Sequence, residues 1–488
     1  MDLHAQHPFS LILFGASGNL AKLKIYPALY TLALKKKLPE QYAIVGFART
    51  EMTEEEFRKL VDVSVRTDMI EVNEKVLSEF LTHFHYHRGQ YDKKDDFDAL
   101  KKMLLTIEKG WPFDSAQGDK AVRLAYLSIP PTSFKDTLAN LAASGVHEKG
   151  KGFRCIVEKP VGHDLASFED IHSTLVESFL EDEIYLLDHY LGKEAIRNIY
   201  YLRFSNPVLE RLLKNTIIHH VEILASESLG LEGRAGYFEN TGTFRDMFQS
   251  HLMMMASLLT MRLQDDESNF RDSRTNAVEQ IYLPPSTSLD EVIVQGQYGA
   301  GKIGREHVGS YLEEEEIHNA SRTNTFIAMK LMTRMSRWEG VPFYLKSGKR
   351  LDKKETRIAI QFQVPHAVGK GSTPNRIDII AQGEAGMKIF LQTKVGGTEP
   401  SFRPLIMEDP LVCFGECLPE HALLLLEAIH GNQQWFLTFK EVRAAWRLID
   451  PLQSHIGKET TPLSLYAAGS KGPKEADEWI ARDGLTWL

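Results

Sequence analysis

Seven residues, Asp188-His189-Tyr190-Leu191-Gly192-Lys193-Glu194, set an acid, an imidazole, a phenol, an amine and a second acid side by side. A strand-like IYLLDHY leads into the run and a helical KEAIRNIYYL follows it. Two readings are open. Strand-to-helix junctions are polar for capping alone, with Asp188 or His189 as the cap. Alternatively, His189, Tyr190 and Lys193 supply three donors near a helix start, which suits a phosphate. Asp188 would repel that phosphate and makes better sense facing a histidine supplied from elsewhere. RDMFQSHLMMM (245–255) offers His251. On an α-helix His251 lies close to the face of Met247 and Met254, which also suits a buried core histidine. Asp246 is five positions earlier and need not share that face.

A second cluster follows the first strand-like run, in GASGNLAKLKIYPALY. Gly15 and Gly18 flank a tight turn, Asn19 suits the cap of a helix beginning near Leu20, and Ala21 is small where helix and strand would pack. This is a G-x-x-G-x-x-A variant of the dinucleotide fingerprint: glycines admit a pyrophosphate and the helix N-terminus offers free N–H donors. Two glycines alone also fit a structural turn; their place at the first strand and first helix favours the nucleotide. The second strand ends in GFART. Arg49 and Thr50 stand where a cofactor lacking a 2′-phosphate would meet an Asp or Glu. The arginine fork matches a 2′-phosphate, so NADP is favoured, with NAD the weaker alternative. The competing reading is that Arg49 only opens a solvent-facing loop. VEKPVG (157–162) ends a later strand and aims Lys159 at the nicotinamide and substrate region, ahead of Pro160, a candidate cis proline. Pro130-Pro131 turns the chain away after YLSIPP.

The elements that must position these groups read as two textures. Up to about residue 190, strand-like FSLILFG (9–15), YAIVGFA (42–48), FHYHRGQY (84–91), RLAYLSIP (123–130), FRCIVEK (153–159) and IYLLDHY (184–190) alternate with amphipathic helices. One helix carries Phe168, Ile171, Leu175 and Phe179 at helical spacing. Alternation predicts a parallel sheet covered by helices on both faces. Beyond about residue 215, TIIHHVEILASES, EVIVQGQYG, TRIAIQFQV, RIDIIAQG and MKIFLQTKV are strand-like, the last three with no helix between them. That predicts an antiparallel sheet in a second, α+β domain. The expected architecture is α/β plus α+β: a Rossmann-like dinucleotide-binding domain over 1–188 and a larger domain on a mainly antiparallel sheet over 189–488.

The totals narrow the class. At 488 residues the chain exceeds one small core, and 43% hydrophobic with 25% charged residues is ordinary for a soluble globular protein. A net charge of −9 argues against a nucleic-acid surface. Three cysteines, Cys155, Cys413 and Cys417, make neither a disulfide framework nor a zinc set, which fits a reducing cytoplasm. The N-terminus lacks the basic start of a signal peptide, and no apolar run is long enough for a membrane span.

GASGNLAK, GFAR, GQYD, YLSIPP, VEKPVG, DHYLGKE, LEGRAGYFE, RDMFQSH, VQGQYG, VPFYLKSGKRL, AAWRLIDP and YAAGSKGP, in this order nearly end to end, resemble the bacterial glucose-6-phosphate dehydrogenase family. The resemblance implies that His251 is the general base for the sugar C1 hydroxyl and that Asp188 orients it and stabilises its charged form. It implies His189, Tyr190 and Lys193 as ligands of the sugar phosphate. Lys159, Glu227, Asp246, Lys349 and Lys354 would hold the rest of the substrate. Gly15, Ala16, Ser17, Gly18, Asn19, Leu20, Lys24, Arg49 and Lys159 fall in cofactor-binding positions. No metal is implied. Homodimers or homotetramers built on the second domain's sheet are common among such proteins. The chain departs from the family pattern at Asn19, Leu186, Ser250 and Lys471, and its LPEHALLLLEAIHGNQQWF lacks the usual Tyr-Glu-Arg. None of these removes a proton-transfer group. The alternatives are a diverged paralogue acting on another sugar phosphate, an oxidoreductase of the glucose–fructose oxidoreductase type, which DHYLGKE and RDMFQSH count against, and a non-catalytic sensor of NADP and sugar phosphate.

Overall fold

The computed structural model describes residues 7–112, 121–263, 269–286, 288–364, 373–399, 401–411 and 417–488; Cys413 lies outside them. The chain forms two compact units, one of Met1–Lys193 with Cys413–Phe439, the other of Glu194–Val412 with Lys440–Leu488.

The first unit is built on β1 (Phe9–Phe14), β2 (Tyr42–Ala48), β3 (Phe84–Arg88), β4 (Val122–Leu127), β5 (Arg154–Glu158) and β6 (Ile184–Leu187). They form one sheet in the order β3-β2-β1-β4-β5-β6, every neighbour parallel. The expected parallel sheet is therefore present. β1 and β2 are buried at every position, as strands covered on both faces must be, which is why they read as apolar runs. The strand order reverses between β1 and β4, and the crevice beyond their carboxyl ends is where such sheets take ligands. Thr53 and Glu56 make a capping box for the helix Glu54–Asp68.

The later segment of this unit carries the helix Glu420–His430, buried from His421 to Ile429 and stopped by Gly431 in the left-handed region. Arg154 on β5 donates to the carbonyls of Ala428 and Ile429, satisfying that helix's last turn. The Leu437 N–H bonds to the Leu186 carbonyl, and the Gln433 amide reaches the carbonyls of Asp182 and Ile184. Residues 417–437 thus cover the β6 edge of the sheet, which would otherwise present unpaired backbone groups.

The second unit carries β7 (Ile218–Ser226), β8 (Ile281–Tyr282), β9 (Ile293–Gly299), a β10 (Gly301–Ile303) to β11 (Glu306–Val308) hairpin, β12 (Phe326–Thr333), β13 (Phe343–Gly348), β14 (Glu355–Phe362), β15 (Arg376–Gln382), β16 (Gly386–Lys394), β17 (Phe402–Pro410) and β18 (Ser464–Ala467). The large sheet runs β17-β16-β15-β14-β7-β13-β12-β9-β18, with β8 beside β12. The meander expected over β14, β15 and β16 is antiparallel as read. The sheet is mixed, because β13 runs parallel to β7 and β18 parallel to β9. β17 contains Pro404 and Pro410 and occupies an edge, where a missing N–H is tolerated.

Cys155 is a buried free thiol whose pKa burial pushes far up, and Cys417 is disulfide-bonded.

Candidate active site

In the first unit β1 delivers the chain into Gly15, whose φ is +83°. A Cβ there would lie 2.1 Å from the Ser128 carbonyl oxygen at the end of β4, so only glycine passes. The Gly15 N–H bonds to the Phe47 carbonyl, and the Gly18 N–H bonds back to Gly15, closing the turn. Tyr26 donates its hydroxyl to the Ala16 carbonyl from beneath, and Ala16 and Ala21 are fully buried. Asn19 is not the expected cap. It is exposed and already helical, and the Gly18 carbonyl accepts from the Lys22 N–H instead. The helix starts one residue earlier, entered from Gly18, where a Cβ would lie 3.0 Å from the Gly15 carbonyl oxygen. Its next five residues, Ala21–Ile25, form a π-helical turn.

Arg49 and Thr50 emerge exposed from the end of β2. The Arg49 guanidinium lies over the Tyr91 ring at 5.7 Å, and the Thr50 hydroxyl meets the Ser17 hydroxyl at 2.8 Å. The second-strand loop and the glycine turn are therefore neighbours. Lys24 is exposed one turn along the helix. The Gly15 cradle, free N–H groups at a helix start and a guanidinium beside them fit the pyrophosphate and 2′-phosphate of NADP.

Lys159 and Pro160 are joined by a cis peptide at the end of β5, as the sequence suggested, and Lys159 is half-buried there. DHYLGKE forms a single turn after β6. Asp188 is fully buried, and its Oδ1 accepts the Tyr190 N–H at 2.9 Å, so the cap reading also holds. The Lys193 ammonium sits 3.8 Å from the Tyr190 ring centroid, a cation–π contact. His189, half-buried, lies against Tyr190. The structure thus brings Asp188, His189, Tyr190 and Lys193 together.

Three supporting residues escaped the sequence reading. Glu158 accepts the Tyr126 hydroxyl and lies 3.6 Å from His421, whose ring is parallel to that of His189 at 6.1 Å. The glutamate of VEKPVG was the available signal; His421 had none, because its partners are more than 200 residues away in sequence. Gly192 is the third. A Cβ on it would lie 2.5 Å from the Glu420 carbonyl oxygen, so the turn packs directly on a helix end.

In the second unit the helix Ala235–Thr243 breaks at Gly242 (φ 64°, ψ 168°), and a π-helical run, Phe244–Leu252, follows before α-helix resumes at Met253–Thr260. His251 is buried near the end of that run, as is Ser250 before it. An α-helix would turn residues five apart about 140° away from each other. Bonding from i to i+5 aligns them more closely, so Asp246 and His251 approach one face, which α-helical spacing did not suggest. Burial, then the Asp246 carboxylate, holds the Tyr237 phenol well above its ordinary pKa.

Lys349, at the end of β13, is buried and ion-paired with Glu227, and its ammonium lies 5.1 Å over the Phe238 ring. The Glu227 N–H bonds to the Gly348 carbonyl, so β7 and β13 carry this pair on adjacent strands. Lys354 stands exposed before β14. Leu186 is buried in β6, and Lys471 lines a cavity of about 420 Å³ with Lys346, Arg357 and Trp487.

A doubly wound parallel sheet with a glycine cradle at its first turn, joined to an α+β unit, defines a nicotinamide-dinucleotide oxidoreductase class. Family models place it further: residues 12–198 match the glucose-6-phosphate dehydrogenase NAD binding domain, and residues 200–488 match the glucose-6-phosphate dehydrogenase C-terminal domain. The chain belongs to the glucose-6-phosphate dehydrogenase family. It is 32% identical to glucose-6-phosphate 1-dehydrogenase of Bacillus subtilis over 100% of this chain and 99% of that one. It is 35% identical to the enzyme of that name from Chlamydia pneumoniae, over 98% of this chain and 96% of that one. A solved glucose-6-phosphate dehydrogenase in complex with its substrate superposes with a TM-score of 0.88 at 29% identity, covering 100% of both chains.

Proposed function

We propose that the chain oxidises D-glucose 6-phosphate at C1 to 6-phosphoglucono-1,5-lactone, with NADP as the preferred hydride acceptor, the first step of the oxidative pentose phosphate route. One observation carries the reading: DHYLGKE folds as a single donor-rich turn at the carboxyl end of a dinucleotide-binding sheet, in a chain related to glucose-6-phosphate 1-dehydrogenases along its full length.

Roles follow from chemistry. His189, Tyr190 and Lys193 bind the sugar phosphate through imidazole, phenol and ammonium donors. Lys159, Glu227, Asp246, Lys349 and Lys354 hold the remaining sugar groups. His251 accepts the C1 hydroxyl proton, and Asp188 orients that imidazole and stabilises its cation. NADP, when bound, accepts the hydride that leaves C1. Gly15 to Leu20 seat its pyrophosphate, Lys24 and Arg49 face its phosphates, and Lys159 stands near its reactive ring. The phosphate end, remote from C1, supplies binding energy that aligns the reacting carbon. No helix among the described residues is long and apolar enough to cross a membrane. We place the reaction in the cytoplasm, where both substrates are retained; the disulfide at Cys417 is an observation that a reducing compartment does not explain. A homodimer or homotetramer built on the second unit's sheet completes the reading.

The test is NADPH formation from glucose 6-phosphate, compared with its epimers and with NAD. His251→Asn is expected to lower kcat by about 10²–10⁴-fold with little change in KM. Near-normal turnover in that variant would remove His251 as the base.

A further inference from the structure

The helix start at Thr243 and Phe244 has N–H groups that its own turns do not satisfy. A loop some 80 residues later satisfies them. Asn324, buried just before β12, accepts the Phe244 N–H on its Oδ1 at 3.0 Å and the Thr243 N–H on its backbone carbonyl at 2.9 Å. Its neighbours are bound as firmly. The Thr323 hydroxyl donates to the Glu239 carbonyl, on the helix before the Gly242 break. The Thr325 carbonyl accepts the Lys349 N–H at 2.9 Å, its N–H bonds to the Gly296 carbonyl, and its hydroxyl accepts the Tyr298 N–H. Tyr466 closes the set, donating its hydroxyl to the carbonyls of Lys349 and Thr325. Two consecutive residues therefore grip two elements: one the start of the run carrying Asp246 and His251, the other the backbone of Lys349, which itself pairs with Glu227.

We infer that Asn324 is a positioning residue, which with Thr325 sets the His251-bearing helix in register with the Lys349–Glu227 pair. The inference rests on the assignment of His251 as the base. An unsatisfied buried N–H at 244 would let the π-helical run shift, and small displacements of a reacting group are expensive in rate. Gly242 is part of the device: a Cβ there would lie 3.1 Å from Asn324 Oδ1, in a conformation that disfavours side chains.

The experiment compares Asn324→Leu, which removes the acceptor at similar volume, with Asn324→Asp, which keeps it and favours a helix N-terminus. Asn324→Leu is expected to lower kcat on the order of tenfold to a hundredfold, leave KM for glucose 6-phosphate and NADP near wild type, and move the acidic limb of the kcat–pH profile. Asn324→Asp is expected to recover most of kcat. Wild-type turnover in Asn324→Leu, an equal loss in Asn324→Asp, or a loss confined to KM would overturn the inference. Gly242→Ala disturbs the same contact from the other side, should Asn324→Leu not fold. It is expected to show the same kcat-selective loss, and unchanged kcat in folded Gly242→Ala overturns the inference. His251→Asn, measured alongside, separates failures: if it turns over normally, the base assignment falls whatever Asn324 does.

Discussion

Among single residues, Lys346 reports most directly on the protein's electrostatics. Its ammonium lies 4.2 Å over the Trp487 ring and is nearly buried. Burial lowers its pKa to about 8, against a smaller opposing pull from Glu222 and Asp477. The folded value thus lies below the ordinary 10.5 of a free lysine. Between those values the unfolded chain binds more protons, so stability rises with pH across that window; below about pH 8 the penalty of the buried charge is present in full. Lys346→Met removes the penalty. It is expected to be more stable than wild type at neutral pH, by up to about 3 kcal/mol, with the gap closing as pH rises toward 10.5. Urea melts of both proteins across that range check it. A constant gap at every pH would mean that Lys346 is not the group responsible.

Elements show where local pattern suffices and where it does not. β1 and β2 were legible because each is an apolar run of a few residues bounded by turn residues, and burial on both faces leaves no other composition open to them. The turn at Gly15 was legible because only glycine tolerates its backbone and the neighbouring Ser128 carbonyl. The π-helical run holding His251 was not, since FRDMFQSHL has the same apolar spacing either way and packing selects the i to i+5 bonding. Nor was the return of residues 417–437 to the β6 edge, because the Leu186–Leu437 bridge joins positions with no local relation. Gly192 belongs to both lists: its place in DHYLGKE is plain, but its reason is the helix end at Glu420. Gly192→Ala forces that turn and helix apart, at a cost of about 1–3 kcal/mol. A lower Tm and a raised KM for glucose 6-phosphate are expected, with KM for NADP unchanged, because the glycine cradle lies elsewhere in the sheet. Wild-type KM for both substrates would show that the turn absorbs the methyl without moving its donors.

At the scale of the whole molecule, an apolar surface remains that the described residues do not cover. β16 and β17 pair Ile389 with Met407 and Leu391 with Leu405, and alternation puts these four on one face of the sheet. Leu405 and Met407 remain 40% and 45% exposed. Ile389, Leu391 and Met407, with Val208, Leu212 and Met387, line a groove of about 630 Å³. β17 is also an edge strand. Single exposed apolar residues need no partner, but a contiguous band beside an open edge marks an interface. A second copy of the chain is the occupant that the family resemblance favours, and a net charge of −9 does not forbid it, because the groove's lining is mainly apolar, with Arg376 among it. Met407→Glu places a carboxylate in the middle of the band, where burial against a partner would leave it unpaired. Sedimentation velocity of the wild type is expected to give a dimer or tetramer, and Met407→Glu a smaller species at the same concentration, still carrying its own cofactor cradle and DHYLGKE turn. Wild-type protein that stays monomeric at micromolar concentrations, or a Met407→Glu variant with unchanged mass, would move the interface away from this face.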